Sequence, residues 1–334
     1  MNKSLFIKTF ALFFAVVLFL TSCEGSPVRK EEENIPKDDG KFTIAIIPDT
    51  QQEVVIKYAV NNKHFKNRTQ WLADNKESLD LRFVVHTGDV VNWGNEDESQ
   101  FEVAVEAMDV LYNANIPAAL CVGNHDTAAV GVGGSAADPP NTRTRLRDTT
   151  AFNKYFPLSK YKDAKPFEAG KIDNSYQTFT AAGCDWLVMT IELWPRDEVL
   201  AWACQVIEQH PNHNIIIATH SYLTSDSKIY TGSDYGDNSP KTIFEEVVSQ
   251  YENVKFVFSG HNGNSTFRVD YGIADNKIAS FLGCFHSNDS NPVQLLEIDA
   301  NTGTASVITY SPLDECDWYE CQAKIDDLKF IKKE

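Results

Sequence analysis

The chain has 334 residues, a formal net charge of −17 and 43% hydrophobic residues, an apolar share that suffices for a sizeable core. The charge repels polyanions at long range, and no basic stripe with interleaved aromatics offsets it. A nucleic acid polymer is therefore not an expected partner.

Residues 1–22 read as a signal peptide. Lys3 and Lys8 give a basic start, and Phe10 to Leu20 is an apolar run of signal-peptide length, short for a membrane span. Leu20-Thr21-Ser22-Cys23 resembles a bacterial lipoprotein cleavage box, which predicts export, lipidation of Cys23 and a membrane anchor. Loss of Lys3 and Lys8 would move the charge from −17 to −19. Residues 23–40 are polar, contain Pro27 and Pro36, and read as a flexible tether.

The domain is expected over 41–311, with 312–334 as a C-terminal tail. Strands are predicted at 42–48, 82–86 and 117–122, and helices at 67–79 and 98–113. Residues 127–150 are rich in Gly, Pro and Ala and show no periodicity. Strands follow at 175–180, 186–192, 214–218 and 254–259, with helices at 198–209 and 242–251. Short strands close the chain near 266–270, 277–283, 293–298 and 305–310. Helices early and hairpins late predict an α/β fold, a two-sheet β-sandwich flanked by helices on both sides. Cys121, Cys184 and Cys284 lie in or beside apolar runs and read as buried thiols. Cys316 and Cys321 sit in a polar stretch, where a local disulfide is plausible in an oxidising compartment.

Five strand ends carry metal-capable side chains. They are Asp49 with Gln51, Gly88-Asp89, Gly123-Asn124-His125-Asp126, Thr219-His220 and Gly260-His261. Loops at the carboxyl ends of strands are where α/β enzymes place their chemistry. Carboxylate, amide oxygen and imidazole together suit Mn, Fe, Zn or Co rather than a calcium cage. Asp126 reads as structural, bonding local backbone N–H groups.

These pieces, in this order over residues 49–261, resemble the calcineurin-like metallophosphoesterase family. The resemblance implies a β-sandwich core and a two-metal site that hydrolyses a phosphate mono- or diester by a metal-bound hydroxide. Asp89 matches the bridging carboxylate. Asn124, His220 and His261 match further ligands of the second metal, and Asp49 matches a ligand of the first. His125 matches the histidine that protonates the leaving oxygen. The expected substrate is a small phosphorylated molecule.

Two positions depart from the family pattern. Asp-x-His is here Asp49-x-Gln51, and Gly-His-x-His is here Gly260-His261-Asn262-Gly263. Both missing histidines would serve the first metal. That site is then expected to use oxygen ligands, with the Gln51 or Asn264 amide as a substitute. One ion (Fe, Zn or Mn) would bind tightly and one (Mn or Mg) more weakly. The run from Glu192 to Glu198 resembles an exported branch of the family that carries Asp-x-Gln. The alternative is a surface lipoprotein of the same fold that binds a phosphorylated ligand without turnover. Arg143, Arg145 and Arg147 offer a clamp for a second phosphate, or a solvated lid. His286 ends a late strand near the expected pocket rim. Trp93 and Trp194 follow motif segments and are candidate pocket walls.

Overall fold

Strand β1 (Lys41–Ile47) shows why the chain forms layers. Its side chains alternate between two apolar environments, with Phe42, Ile44 and Ile46 in one core and Ala45 and Ile47 in another. A strand buried on both faces needs cover on both. The computed structural model describes residues 40–55, 63–161, 163–285 and 289–333, apart from the side chains of 319–321, and in it that cover is present.

The elements after β1 are α1 (His64–Asp74), β2 (Leu81–His86), α2 (Ser99–Asn113), β3 (Ala118–Leu120), α3 (Thr142–Arg145) and α4 (Thr150–Tyr155). Next come β4 (Lys165–Pro166), β5 (Ser175–Ala181), β6 (Cys184–Thr190), α5 (Asp197–Gln209), β7 (His213–Ala218) and α6 (Pro240–Glu246). The chain then runs through β8 (Val254–Ser259), β9 (Asn264–Tyr271), β10 (Lys277–Cys284), β11 (Val293–Asp299), β12 (Thr304–Ser311) and β13 (Cys316–Ile325). One sheet has the order β13-β12-β11-β1-β2-β3, and the other β4-β5-β6-β7-β8-β10-β9.

The two sheets face each other over an aromatic core of Phe42, Phe83, Trp186, Phe256, Phe258 and Phe281. The outer face of the first sheet is covered by Phe65 and Leu72 of α1 and by Phe101, Met108 and Leu111 of α2. α5 covers the second with Val199, Leu200, Ala203, Val206 and Ile207, a helical spacing on one face. Each of its larger aliphatic chains contributes about 1.5–3 kcal/mol by leaving water. Asp197 and Glu198 in its first turn complement the helix dipole. The predicted two-sheet sandwich with helices on both sides is the fold found.

Parallel pairing decides where the strand ends meet. β1, β2 and β3 run parallel in one sheet, and β6, β7, β8 and β10 run parallel in the other. Their carboxyl ends therefore collect at one edge of the sandwich.

Two sequence expectations change. The helix predicted at 67–79 starts earlier and ends at Asp74, because Asn75 turns its side-chain amide onto the Trp71 carbonyl, 2.9 Å away. Residues 312–334 include β13, which pairs antiparallel with β12 and buries Ala323 and Ile325. A register shift between Val307 and Thr309 breaks the alternation that would have revealed the strand. The proposed Cys316–Cys321 pairing falls on a side chain outside the described set.

Lys255 on β8 is 4% exposed, and its Nζ donates to the Glu252 carbonyl at 2.7 Å. Burial pushes its ammonium down to about 8, from an ordinary 10.5. Between those values the unfolded chain holds a proton that the folded chain does not. Stability from this group therefore rises with pH across that window. Lys255→Met should remove the rise and add on the order of 2 kcal/mol below pH 8. Urea unfolding of both proteins across the window checks it; parallel curves would refute it.

Candidate metal centre

Five of the collected strand ends form one buried cleft. Asp49 follows β1, Asp89 follows β2, and Asn124 opens a single 3-10 turn after β3. His220 and His261 follow β7 and β8 from the opposite sheet. Asp89 (φ 49) and His261 (φ 69) both adopt left-handed backbone, a strain that clusters at functional sites. Two glycines make room: a Cβ on Gly123 would lie 2.1 Å from Asp89 Oδ1, and one on Gly260 would lie 2.0 Å from Asp49 Oδ1.

Asp89, His220 and His261 bring ligand atoms within 4.8 Å of one another. His220 Nε2 is 3.1 Å from Asp89 Oδ2 and 3.2 Å from His261 Nδ1. The other ring nitrogen of His220 lies 2.9 Å from the Thr87 carbonyl, which can only accept, so Nδ1 carries a proton and Nε2 faces the cleft. Burial opposes charge on His220, but Asp89 and then Asp49 outweigh it and raise the imidazole to about 9. Burial, then the charge on His220, push His261 down to about 4. Burial also opposes charge on Asp89, yet His220 and His125 hold its carboxyl well below the usual range. Asn124 is 7% exposed, and its Oδ1 is buried without a hydrogen-bond partner. An orphaned acceptor beside a carboxylate and two imidazoles fits a divalent cation.

Asp49 stands beside this trio. Its carboxylate accepts the His261 N–H at 3.0 Å and the Cys284 thiol at 3.1 Å. Gln51 is buried, and its Nε2 donates to Asp89 Oδ2 at 3.2 Å. Asn264 is exposed at the start of β9, directly across the ladder from Cys284. His286 and Cys23 lie outside the described residues.

His125 is braced rather than loose. Its Nδ1 lies 2.6 Å from the Asn92 carbonyl and 2.9 Å from Asn92 Oδ1. Nδ1 therefore carries the proton of the neutral ring, and Nε2, 4.0 Å from Asp89 Oδ2, is the nitrogen that can gain or give one. Asp126 accepts backbone N–H groups from Val91 (3.0 Å) and Gly123 (2.8 Å). Trp194 is 1% exposed and packs edge-on to His261, at 5.6 Å, and to Tyr235, at 4.8 Å. Trp93 is buried as well.

The three arginines are engaged by the protein itself. Arg147 donates to the Leu193 and Trp194 carbonyls and to Asp237, Arg143 pairs with Asp237, and Arg145 donates to the Ala128 carbonyl. Arg143 and Arg147 fasten residues 142–147 to the 193–194 and 237 segments, and Arg145 ties them to residue 128.

Three contributors escaped the sequence reading. His86 accepts the Gly88 N–H at Nδ1 (3.2 Å) and lies 3.0 Å from the Thr50 hydroxyl at Nε2, so it joins the first two motif loops. Burial pushes it down to about 3, which keeps it neutral. Asn92 orients His125. Cys284 meets Asp49. An Asp-x-Gln51 next to a histidine-ended strand was the available signal for the first; the other two depend on long-range pairing.

A model of the family described as calcineurin-like phosphoesterase matches residues 42–263. The uncharacterized protein YvnB of Bacillus subtilis (strain 168) is 29% identical over 296 residues, which cover 84% of this chain and span 21% of that relative's length. A dimetal phosphatase from Danio rerio has a similar structure, with a TM-score of 0.50 and 11% identity over 85% of this chain and 98% of that one. At that identity the likeness concerns the fold.

Proposed function

We propose a metal-dependent hydrolase of phosphate esters, because the chain belongs to the calcineurin-like phosphoesterase family. The observation that carries the reading is the convergence of Asp89, His220 and His261 within 4.8 Å, with the partnerless Asn124 Oδ1 on the loop whose next N–H reaches Asp89. Asp89, Asn124, His220 and His261 would hold one cation, and Asp49, Asp89 and Gln51 would face a second. Such ions supply Lewis acidity toward phosphoryl oxygens and lower the pKa of water.

The chain's own groups do the rest. Asp89 presents two oxygens to different neighbours: Oδ1 takes the His125 N–H at 3.0 Å and Oδ2 faces His220. This carboxylate thus suits a bridging position. Asn92 fixes the His125 ring, so its Nε2 can hand a proton to a departing ester oxygen. Trp194 packs against His261 and Tyr235 and walls the His261 side.

The test uses protein stripped by a chelator and reloaded with Mn, offered a chromogenic phosphomonoester and phosphodiester. Turnover that vanishes on stripping and returns on reloading is expected. Folded protein that retains metal but turns over neither ester would favour the binding-only reading. The loss of two family histidines on one side further supports unequal sites, one ion surviving dialysis and the other not.

Export through a lipidated Cys23, with anchorage to a membrane, belongs to the same proposal. It rests on the cleavage box and the polar tether. Cys23→Ala should release the protein from the membrane fraction with activity unchanged; equal membrane retention of variant and wild type would overturn it.

A further inference from the structure

We propose that Cys284 is a ligand of the first cation, acting beside Asp49 and Asp89. The inference rests on the metal-centre reading above and refines it. Gln51 and Gly263 stand where the family pattern has histidines, so those two motifs bring no imidazole to the Asp49 side. The fold brings a sulfur instead. β10 runs parallel to β8, with Leu282 beside Ser259, so the end of β10 arrives next to Gly260 and His261. Cys284 is the last residue of β10, is 2% exposed, and sets its Sγ 3.1 Å from Asp49 Oδ2. The same Oδ2 accepts the His261 N–H at 3.0 Å. Thiol, carboxylate and the histidine strand end therefore converge on one spot.

Two features set this contact beside the candidate metal centre. Asn124 Oδ1 is an acceptor with no hydrogen-bond partner, on a side chain only 7% exposed, and the next residue, His125, donates its backbone N–H to Asp89. A Cβ at Gly260 would lie 2.0 Å from Asp49 Oδ1, so the glycine lets this carboxylate pack directly against the strand end that carries His261. Cys121 and Cys184 offer a contrast, because both stand in the apolar core between the sheets. Cys284 is the buried cysteine whose sulfur meets a motif carboxylate.

The exchange balances simply. The S–H bond that now points to Asp49 breaks, its proton goes to solvent, and the electron pair left on sulfur is donated to the arriving cation. A thiolate ligand turns a hard oxygen site into a mixed one that prefers Zn, Fe or Co to Mg. To the oxygen ligands expected from sequence, this proposal adds one sulfur.

Cobalt titration of the metal-free intact chain tests it. The wild type should show visible d–d bands and, with one of two equivalents, a near-ultraviolet thiolate-to-cobalt charge-transfer band. Cys284→Ser should lose that band and keep d–d absorption from the ion held by Asn124, His220 and His261. Cys121→Ser and Cys184→Ser should keep the band. Absence of the band from the wild type is decisive by itself, so the proposal stays falsifiable if a variant fails to fold. Two cobalt ions bound by the wild type without a charge-transfer band would overturn the role of Cys284 and leave the metal centre standing. A band that persists in Cys284→Ser would do the same. No cobalt bound at all would overturn both.

Discussion

Asp89→Asn should lower kcat/KM by at least about 10², equal to about 2.7 kcal/mol of transition-state stabilisation. The side chain is 2% exposed, and one oxygen serves three neighbours: His220 Nε2 at 3.1 Å, Gln51 Nε2 at 3.2 Å and His125 Nε2 at 4.0 Å. Burial alone would favour a neutral acid there, yet the nearby imidazoles keep it ionised. Asparagine keeps the shape, removes the charge and sets an NH2 among donors. Metal affinity should fall together with turnover. Steady-state kinetics with metal content on the same samples checks this, and normal values of both would show that the site is wrongly assigned.

Arg68→Met should destabilise the fold by about 3–5 kcal/mol, since it leaves a buried charge unpaired. Arg68 is fully buried and meets Glu53 through two hydrogen bonds, of 2.9 and 2.6 Å. Its Nε donates to the Asn291 and Pro292 carbonyls at 3.1 and 2.9 Å. The guanidinium therefore ties α1 to the loop just after Gln51 and to the start of β11. Burial raises the Glu53 carboxyl, and Arg68 opposes that rise. Removing both charges, as in Glu53→Leu with Arg68→Met, should recover part of the loss. Denaturant unfolding of the single and double variants decides it; a single variant within about 1 kcal/mol of wild type would refute the argument.

The centre was legible where sequence neighbours carry the signal. Apolar runs ending in Asp49, Asp89, Asn124, His220 and His261 marked both the strands and the candidate ligands at their ends. What stayed hidden depends on pairing across distance. Cys284 looks like any thiol at the end of an apolar run until β10 is laid against β8. Asn92 reaches His125 from a loop 33 positions away. Arg68 and Glu53 are separated by residues that give no hint of a bidentate pair. For the arginines at 143, 145 and 147, alternating charge says nothing about its partners, here mostly carbonyls and Asp237.

The two halves of the cleft come from different sheets: Asp49, Asp89 and Asn124 from one, His220 and His261 from the other. An ion gripped by both would act as a clasp across the sandwich, present only when the sheets face each other. Ligands that bind the folded chain alone add RT ln(1 + [L]/Kd) to its stability, about 2.7 kcal/mol at a hundredfold excess over Kd. Metal supply would then govern how long the protein lasts as well as how fast it works. Chelation should lower the melting temperature, and neither sheet should hold the ion alone.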